Sequence, residues 1–197
     1  MKLLMHACCA PCSVYCVDSL KKEGIKPTMF WFNPNIHPYK EYTSRRDCLK
    51  EYCKKEDLEL IIKDDYGLEE FCKNVINNVE KRCTSYCYPL RLRETFKYAK
   101  ENNYDAVSTT LLYSIYQNHD FIKVYCEKLS KEYNIKFLYR DFRNGFFEGH
   151  DKAIEMGLYM QKYCGCIFSE EDRYLKKKKD NLSLPEGFEW KNKKRKA

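Results

Sequence analysis

The sequence predicts an α/β protein built on a Rossmann-like parallel sheet with helices on both faces. Short apolar runs alternate with amphipathic helical segments in the order β-α-β-α-β-α-α-β-α-β. That alternation produces parallel sheets joined by right-handed crossovers. The residues able to do chemistry gather just past the C-terminal ends of the apolar runs: Cys8 and Cys9 after the first, Thr109 and Thr110 near the end of the fourth, Asp141 closing the fifth. Open parallel sheets bind their ligands at that edge. The 197 residues show no internal repeat and no dividing linker, which suits one domain.

Residues 2–7 form a short apolar run that ends in the cysteine-rich turn Cys8-Cys9-Ala10-Pro11-Cys12-Ser13. A helix follows through Leu20 and stops at Gly24. Residues 27–32 read as a second strand, ended by Asn33-Pro34-Asn35. Residues 41–56 read as a charged amphipathic helix, 58–62 as a third strand, and 68–78 and 89–103 as helices. The last of these carries Leu92, Phe96 and Ala99 on one face. The β-branched run 106–112 is the fourth strand, 120–133 a helix and 135–139 the final strand. Beyond Gly145 the pattern is helical and then irregular.

No apolar run approaches the roughly 20 residues needed to cross a bilayer. The N-terminal apolar stretch is interrupted by His6 and is too short for a signal peptide, so the expected location is cytoplasmic. Twelve cysteines in a reducing compartment point to metal ligation, redox chemistry and burial rather than disulfides. Residues 173–197 carry ten Lys/Arg against three Asp/Glu, which accounts for the whole net charge of +7. The expected division is a single α/β metalloenzyme domain over residues 1–172 and a basic tail over 173–197, whose runs 176–179 and 191–196 suit phosphate.

A lone cysteine is usually a small buried hydrophobe, and Cys16, Cys48, Cys53, Cys72 and Cys126, all within helical patterns, are read that way. Cys8-Cys9-x-x-Cys12 differs. It joins vicinal thiols to a Cys-x-x-Cys at a helix start, where amides and dipole favour thiolate. Arg82-Cys83-x-x-x-Cys87-Tyr88 sets two thiols before a helix, with Arg82 and Arg91 close by. Cys164-Gly165-Cys166 places two thiols around a residue whose backbone bends freely. A [4Fe–4S] cluster takes four cysteines, and so does structural zinc. Six or seven paired thiols exceed either need, leaving over a second metal or a thiol pair for redox work.

The chain has no Gly-x-Gly-x-x-Gly loop and no Walker A loop. Where many nucleotide-binding sheets carry a pyrophosphate loop after the first strand, this chain has His6-Ala7-Cys8-Cys9-Ala10-Pro11-Cys12-Ser13, which argues against ATP use.

Several uncommon motifs now stand in order: residues 3–12, Phe32-Asn33-Pro34-Asn35-Ile36-His37-Pro38, Glu41-Tyr42 with Arg45 and Arg46, residues 82–92, Ser108-Thr109-Thr110-Leu111, Asp141-Phe142-Arg143, and Tyr163-Cys164-Gly165-Cys166-Ile167-Phe168-Ser169. Together they resemble the QueH family of epoxyqueuosine reductases, from Leu3 to about Ser169. The resemblance implies a fold like the adenine-nucleotide alpha-hydrolase (HUP) group without its ATP pyrophosphate loop. It implies a cobalamin-independent reduction of the epoxide of epoxyqueuosine at the wobble base of a tRNA. It also implies an iron–sulfur cluster and a further metal held by cysteines and an aspartate. Asn144 and Gly145 depart from the pattern, which leads one to expect a lysine after Arg143.

The expected metal ligands are therefore Cys8, Cys9, Cys83, Cys87, Cys164 and Cys166 with Asp141, holding a [4Fe–4S] cluster and a second metal, expected to be iron. Asp141 is an oxygen ligand or a proton source; otherwise it pairs with Arg143 or caps the next turn. Cys12 is a functional thiol that binds the second metal or relays a proton. Asn33, Asn35, His37, Tyr42, Arg45, Arg46, Tyr88, Arg91, Thr109, Thr110 and Arg143 are assigned to the substrate, with Arg93 beside them. The expected partners are a tRNA carrying epoxyqueuosine and a low-potential electron donor; neither a membrane nor ATP is expected. On the residues alone, a zinc-bearing RNA-binding module and a thiol–disulfide oxidoreductase stay open.

Overall fold

The computed structural model describes residues 1–175 and 184–188, so the basic runs 176–179 and 191–196 lie outside the described residues. Five parallel strands, β1 (Leu3–His6), β2 (Thr28–Trp31), β3 (Leu60–Ile62), β4 (Ala106–Thr109) and β5 (Lys136–Phe137), lie in the order β3-β2-β1-β4-β5. Between them run α1 (Ala10–Lys22), α2 (Tyr39–Lys55), α3 (Leu68–Val75), α4 (Tyr88–Glu101) and α5 (His119–Tyr133), followed by α6 (Phe146–Glu155) and α7 (Ile167–Tyr174). Successive strands step one way from β1 to β3 and the other way from β4 to β5. Right-handed crossovers therefore put α1 and α2 on one face and α5 on the other. Every residue of β1 is buried, as a central parallel strand covered on both faces requires.

The element order matches the sequence pattern, but several boundaries differ for local reasons. The fourth run stops at Thr109, because its hydroxyl accepts from the Leu111 amide at 3.1 Å and turns the chain into a 3₁₀ turn over Thr110–Leu112. Regular pairing in β5 covers two residues, and Asp141 lies four residues beyond it rather than at its end. The helix expected over 68–78 ends at Val75 and continues as a 3₁₀ segment, Ile76–Lys81, broken at Asn78 (φ −155°, ψ 59°). Cys83–Cys87 forms a π-helical turn running straight into α4. Such turns are rare and recur at functional sites.

The departure at Asn144 and Gly145 has a packing reason. Helix α6 lies on α1, and the Tyr15 ring of α1 occupies the space beside Gly145. A Cβ on Gly145 would stand 2.1 Å from that ring. Gly145→Ala is expected to destabilise the fold by about 1–3 kcal/mol, as overpacking does. Tyr15→Ala should abolish most of that penalty, measured by a double-mutant cycle of chemical denaturation. Equal penalties in the two backgrounds would refute the packing account.

Candidate metal centre

The strand order reverses between β1 and β4, so beyond their paired ends the chain leaves toward opposite faces of the sheet, the place where open sheets carry a binding crevice. Cys8, just past β1, donates its amide to Thr110 Oγ1 just past β4 (3.1 Å), and the Thr110 hydroxyl donates to Cys8 Sγ (3.4 Å). Cys9 is the residue preceding α1, in extended conformation, and its sulfur lies 3.8 Å from that of Cys8. Cys12 stands in the first turn of α1. The sulfurs of Cys8, Cys9 and Cys12 all lie within 4.8 Å of one another.

His6 supports this turn from inside the sheet. Asn33 donates its Nδ2 to the Ala7 carbonyl at 2.9 Å, which leaves its Oδ1 as the acceptor for His6 Nε2 at 3.2 Å. His6 Nδ1 then accepts from the Thr109 hydroxyl at 3.0 Å. The ring is thus a neutral Nε2–H tautomer bridging the turn after β2 to β4. Burial, with the nearby Arg91 charge, lowers its pKa to about 4. His37 is held neutral likewise, lowered to about 4 by burial although it contacts the Pro34 carbonyl.

Within the three-thiol set the protons are unevenly shared. Hydrogen bonds from Cys12 and then Cys9 hold Cys8 well below the usual thiol range despite its burial, and Thr110 adds to them. Cys9 is pushed up by burial, and Cys12 by its hydrogen bonds to Cys8 and Cys9. Of the three, Cys8 is the one that gives up its proton most readily.

Cys83 and Cys87 of the π-helical turn and Cys164 and Cys166 of the later loop act on one another through their charges, with no three of them closing to the 4.8 Å spacing of the first three thiols. A hydrogen bond from Cys87, aided by the charges of Arg82 and Arg91, lowers Cys83 to about 6 against its burial. Cys87 is raised in return. Cys164 reaches the surface, but the protein packed around its sulfur, with the charges of Cys83 and Cys166, pushes it up to about 11. Gln117 Nε2 approaches that sulfur at 3.4 Å and takes the Tyr88 hydroxyl on its Oε1 at 2.7 Å.

Three interior arginines act on these thiols. Arg45 donates to Glu41 (2.6 Å) and to the carbonyls of Cys164 (2.8 Å) and Tyr163 (2.9 Å), and its charge acts on both Cys9 and Cys164. Arg91 donates to the Cys87 carbonyl at 2.9 Å, and its charge acts on His6 as well as on Cys83 and Cys164. Arg82 pairs with Asp172 at 2.6 Å, joining the residue before Cys83 to the helix after Cys166. Gly165 has φ +154°, and an added Cβ would stand 3.4 Å from Arg45 Nη1. Its carbonyl accepts from the His37 amide at 2.8 Å.

The structure distributes the residues singled out in the sequence unevenly. Of the six expected cysteine ligands, Cys8 and Cys9 meet, joined by Cys12, whereas Cys83, Cys87, Cys164, Cys166 and Asp141 enter no such three-ligand group among the described residues. Of the residues assigned to the substrate, Asn33, Asn35, His37, Tyr42, Arg45, Tyr88, Arg91, Thr109, Thr110 and Arg143 are buried, and Arg46 is half-buried in ion pairs with Asp47 and Asp64. Tyr42 spends its hydroxyl on Asp64, Trp31 and the Asp65 amide. Arg93 is turned toward Glu132, with which it pairs. Asp141 accepts from the Arg143 amide (3.1 Å) and guanidinium (2.8 and 2.5 Å), and these bonds outweigh burial and keep it below the ordinary carboxylate range. Its nearest other ionisable partner is His119, 4.0 Å away. Sequence reasoning missed Gln161, whose Nε2 lies 3.1 Å from Cys9 Sγ and 3.5 Å from Cys12 Sγ. It missed Gln117 as well. Neither belongs to a spaced motif, so only the fold reveals them.

Comparison with known proteins gives a consistent picture. The family model described as epoxyqueuosine reductase QueH matches residues 3–172. A Dehalococcoides mccartyi protein named epoxyqueuosine reductase QueH is 36% identical over 175 residues, covering 89% of this chain and 96% of the relative. Proteins of the same name from Acinetobacter baylyi and Thermotoga maritima are 34% and 30% identical, covering 87% of this chain and 81% and 91% of the relatives.

The electrostatics set two expectations. In metal-free protein, Cys83 should be alkylated with a pH dependence centred near about 6, while Cys164, although exposed, should react slowly at neutral pH. Isotope-coded alkylation read by mass spectrometry over about pH 5–9 checks this, and faster labelling of Cys164 would reverse the assignment. His6 and His37 have pKa values of about 4 when folded and 6.5 when unfolded, so the unfolded chain binds more protons between those values. Their contribution to stability is complete above about pH 6.5 and is lost as pH falls toward about 4. Melting temperature should drop across that window, and less steeply in His37→Gln; an identical slope would exclude His37 as a source.

Proposed function

The chain belongs to the QueH family of epoxyqueuosine reductases, and on that premise we propose that it removes the epoxide oxygen of epoxyqueuosine at the wobble position of a tRNA to give queuosine. It is an oxidoreductase of queuosine biosynthesis. The proposed reaction takes two electrons and two protons. Both C–O bonds of the epoxide break, a carbon–carbon double bond forms, and the oxygen leaves as water. The observation that carries the proposal is the meeting of Cys8, Cys9 and Cys12 at the switch point of the sheet, their sulfurs within 4.8 Å of one another, with the Arg45 charge acting on both Cys9 and Cys164.

The donor sets suit two groups. Cys83, Cys87, Cys164 and Cys166 match the ligand number of a [4Fe–4S] cluster. Cys8, Cys9 and Cys12 would offer three soft donors to a second metal, proposed to be iron. When bound, these groups supply one-electron transfer and a Lewis-acid pull on the departing oxygen.

The chain does the remaining work. Thr110 orients Cys8, and His6 with Asn33 fixes the turn that carries it. The interior arginines compensate thiolate charge that a low-dielectric site would otherwise penalise. Cys12 ligates or relays a proton. Asp141 serves as oxygen ligand or proton source, a role that requires Arg143 to release it. The other buried polar residues assigned to the substrate shape the walls of the crevice. A low-potential donor delivers the electrons, since the sequence carries no dinucleotide fingerprint.

Protein purified without oxygen should be brown, with broad absorbance near about 400 nm. With a low-potential reductant it should convert epoxyqueuosine in tRNA to a nucleoside lighter by one oxygen. Colourless, zinc-loaded and inactive protein would overturn the proposal. Single Ser replacements at Cys8, Cys9, Cys83, Cys87, Cys164 or Cys166 should lower iron content or abolish turnover, and a replacement that does neither removes that residue from the site. Cys16, Cys53 and Cys126 should tolerate Ala at a cost of about 1–2 kcal/mol. Asp141→Asn with full iron and rate would reduce Asp141 to its pairing with Arg143.

A further inference from the structure

The side chains assigned to the substrate are almost all interior, so the nucleotides flanking the reacting base need further surface. Residues 159–163 form a wall of the thiol crevice. Its inner side presents Gln161 to Cys9 and Cys12. Its outer side, with the start of α2 and the end of α7, lines a groove of about 330 Å³. Three tyrosines face this groove: Tyr159 (41% exposed), Tyr163 and Tyr174 (58% exposed). Two of the rings are fixed by their hydroxyls, Tyr159 to Glu41 and Tyr163 to the His37 carbonyl at 2.8 Å. Lys40 and Lys162, also lining the groove, are exposed and have no carboxylate partner among the described residues. The Glu41 carboxylate at its floor is neutralised by Arg45.

Aromatic faces beside exposed lysines are the elements of single-stranded nucleic-acid recognition. Rings take the bases by stacking, and ammonium groups take the phosphates. We infer that this groove holds an unpaired anticodon-loop nucleotide next to the one whose base enters the thiol crevice. The inference rests on the function proposed above. The wall between groove and crevice is a single stretch of chain, so neighbouring nucleotides straddle it. Glu170, at the groove's edge and without a cation partner among the described residues, faces the base and not the backbone, because it accepts from a base amino group and repels phosphate.

The test uses anaerobically purified holoenzyme and an anticodon stem-loop RNA with 2-aminopurine on one side or the other of the wobble position. Binding should quench the probe at one of these positions. Tyr159→Leu and Tyr174→Leu should lose that quenching and bind about ten-fold or more weakly. Tyr159→Phe, which keeps the ring and loses the hydrogen bond to Glu41, should retain both. Lys40→Gln and Lys162→Gln should each flatten the salt dependence of binding by about 0.7 in log–log slope. Tyr174 is largely exposed, so its variant should fold, and a melting curve checks each protein. Leu variants that bind and quench like the parent overturn this site alone. A parent that binds no stem-loop overturns the function it rests on as well.

Discussion

The Arg45 guanidinium is the contact on which the rest of the site depends. It sits 2% exposed between the Glu41 carboxylate and the carbonyls of Tyr163 and Cys164. The cysteines reach the site from three distant stretches of chain, and the last of these lies in no regular element. A loop has no ladder to hold its carbonyls, and buried carbonyls must be paired. Arg45 supplies two of those pairings from helix α2, and the His37 amide supplies another at Gly165. Breaking a buried pair such as Arg45–Glu41 typically costs about 3–5 kcal/mol, because the partner charge is left unpaired. The loop that carries Cys164 and Cys166 is thereby tied to α2 and to the turn before it by three hydrogen bonds.

The same arginines answer an electrostatic constraint. Gathering seven thiols in one region invites negative charge into the interior, where an unpaired anion is expensive. The response is twofold. Within each set the protons are shared, so that Cys8 and Cys83 ionise easily while Cys12 and Cys87 resist. Between the two groups, Arg45 places fixed positive charge that acts on both Cys9 and Cys164, Arg91 acts on Cys83 and Cys164, and Arg82 adds a third charge at Cys83 and Cys166. Arginine suits this position because it stays charged when buried and its planar fork meets several carbonyls at once.

How much was legible in the sequence follows from the range of each interaction. The sheet was legible because its signal is local: apolar runs of strand length, helical periodicity between them, and turns at Gly24 and Asn33-Pro34. Vicinal thiols at a helix start were legible for the same reason, since Cys8, Cys9 and Cys12 meet through the geometry of one turn. The direction in which Asn33, Asn35, His37 and Tyr42 point was not. Polar residues in an aromatic loop read as ligands for a partner, yet all four turn inward, where Asn33 and Tyr42 bond to their own chain while Asn35 Oδ1 and His37 Nδ1 are buried with no hydrogen-bond partner among the described residues. Asp141 was placed by its position after the fifth apolar run, but that run pairs for only two residues, and the chain beyond it bends so that Arg143 closes on the carboxylate. Gln161 and Gln117 carried no signal because their contacts to sulfur span 152 and 47 residues of chain.

The burial of the His6–Asn33–Thr109 network explains why a site of exposed chemistry needs so much concealed polarity. Cys8 and Cys9 stand on a turn whose own hydrogen bonds are few, since Cys9 makes no side-chain cap to α1. Their placement is inherited from the strands below. His6 ties β1 to β2 through Asn33 and to β4 through Thr109, and Thr110, the next residue, closes on the Cys8 amide and sulfur. Each link is a modest hydrogen bond of about 1 kcal/mol net, but an unmade one would leave a buried donor or acceptor at greater cost. The network is therefore satisfied as a whole or not at all, and it converts the parallel register of three strands into a fixed position for the thiols at their ends.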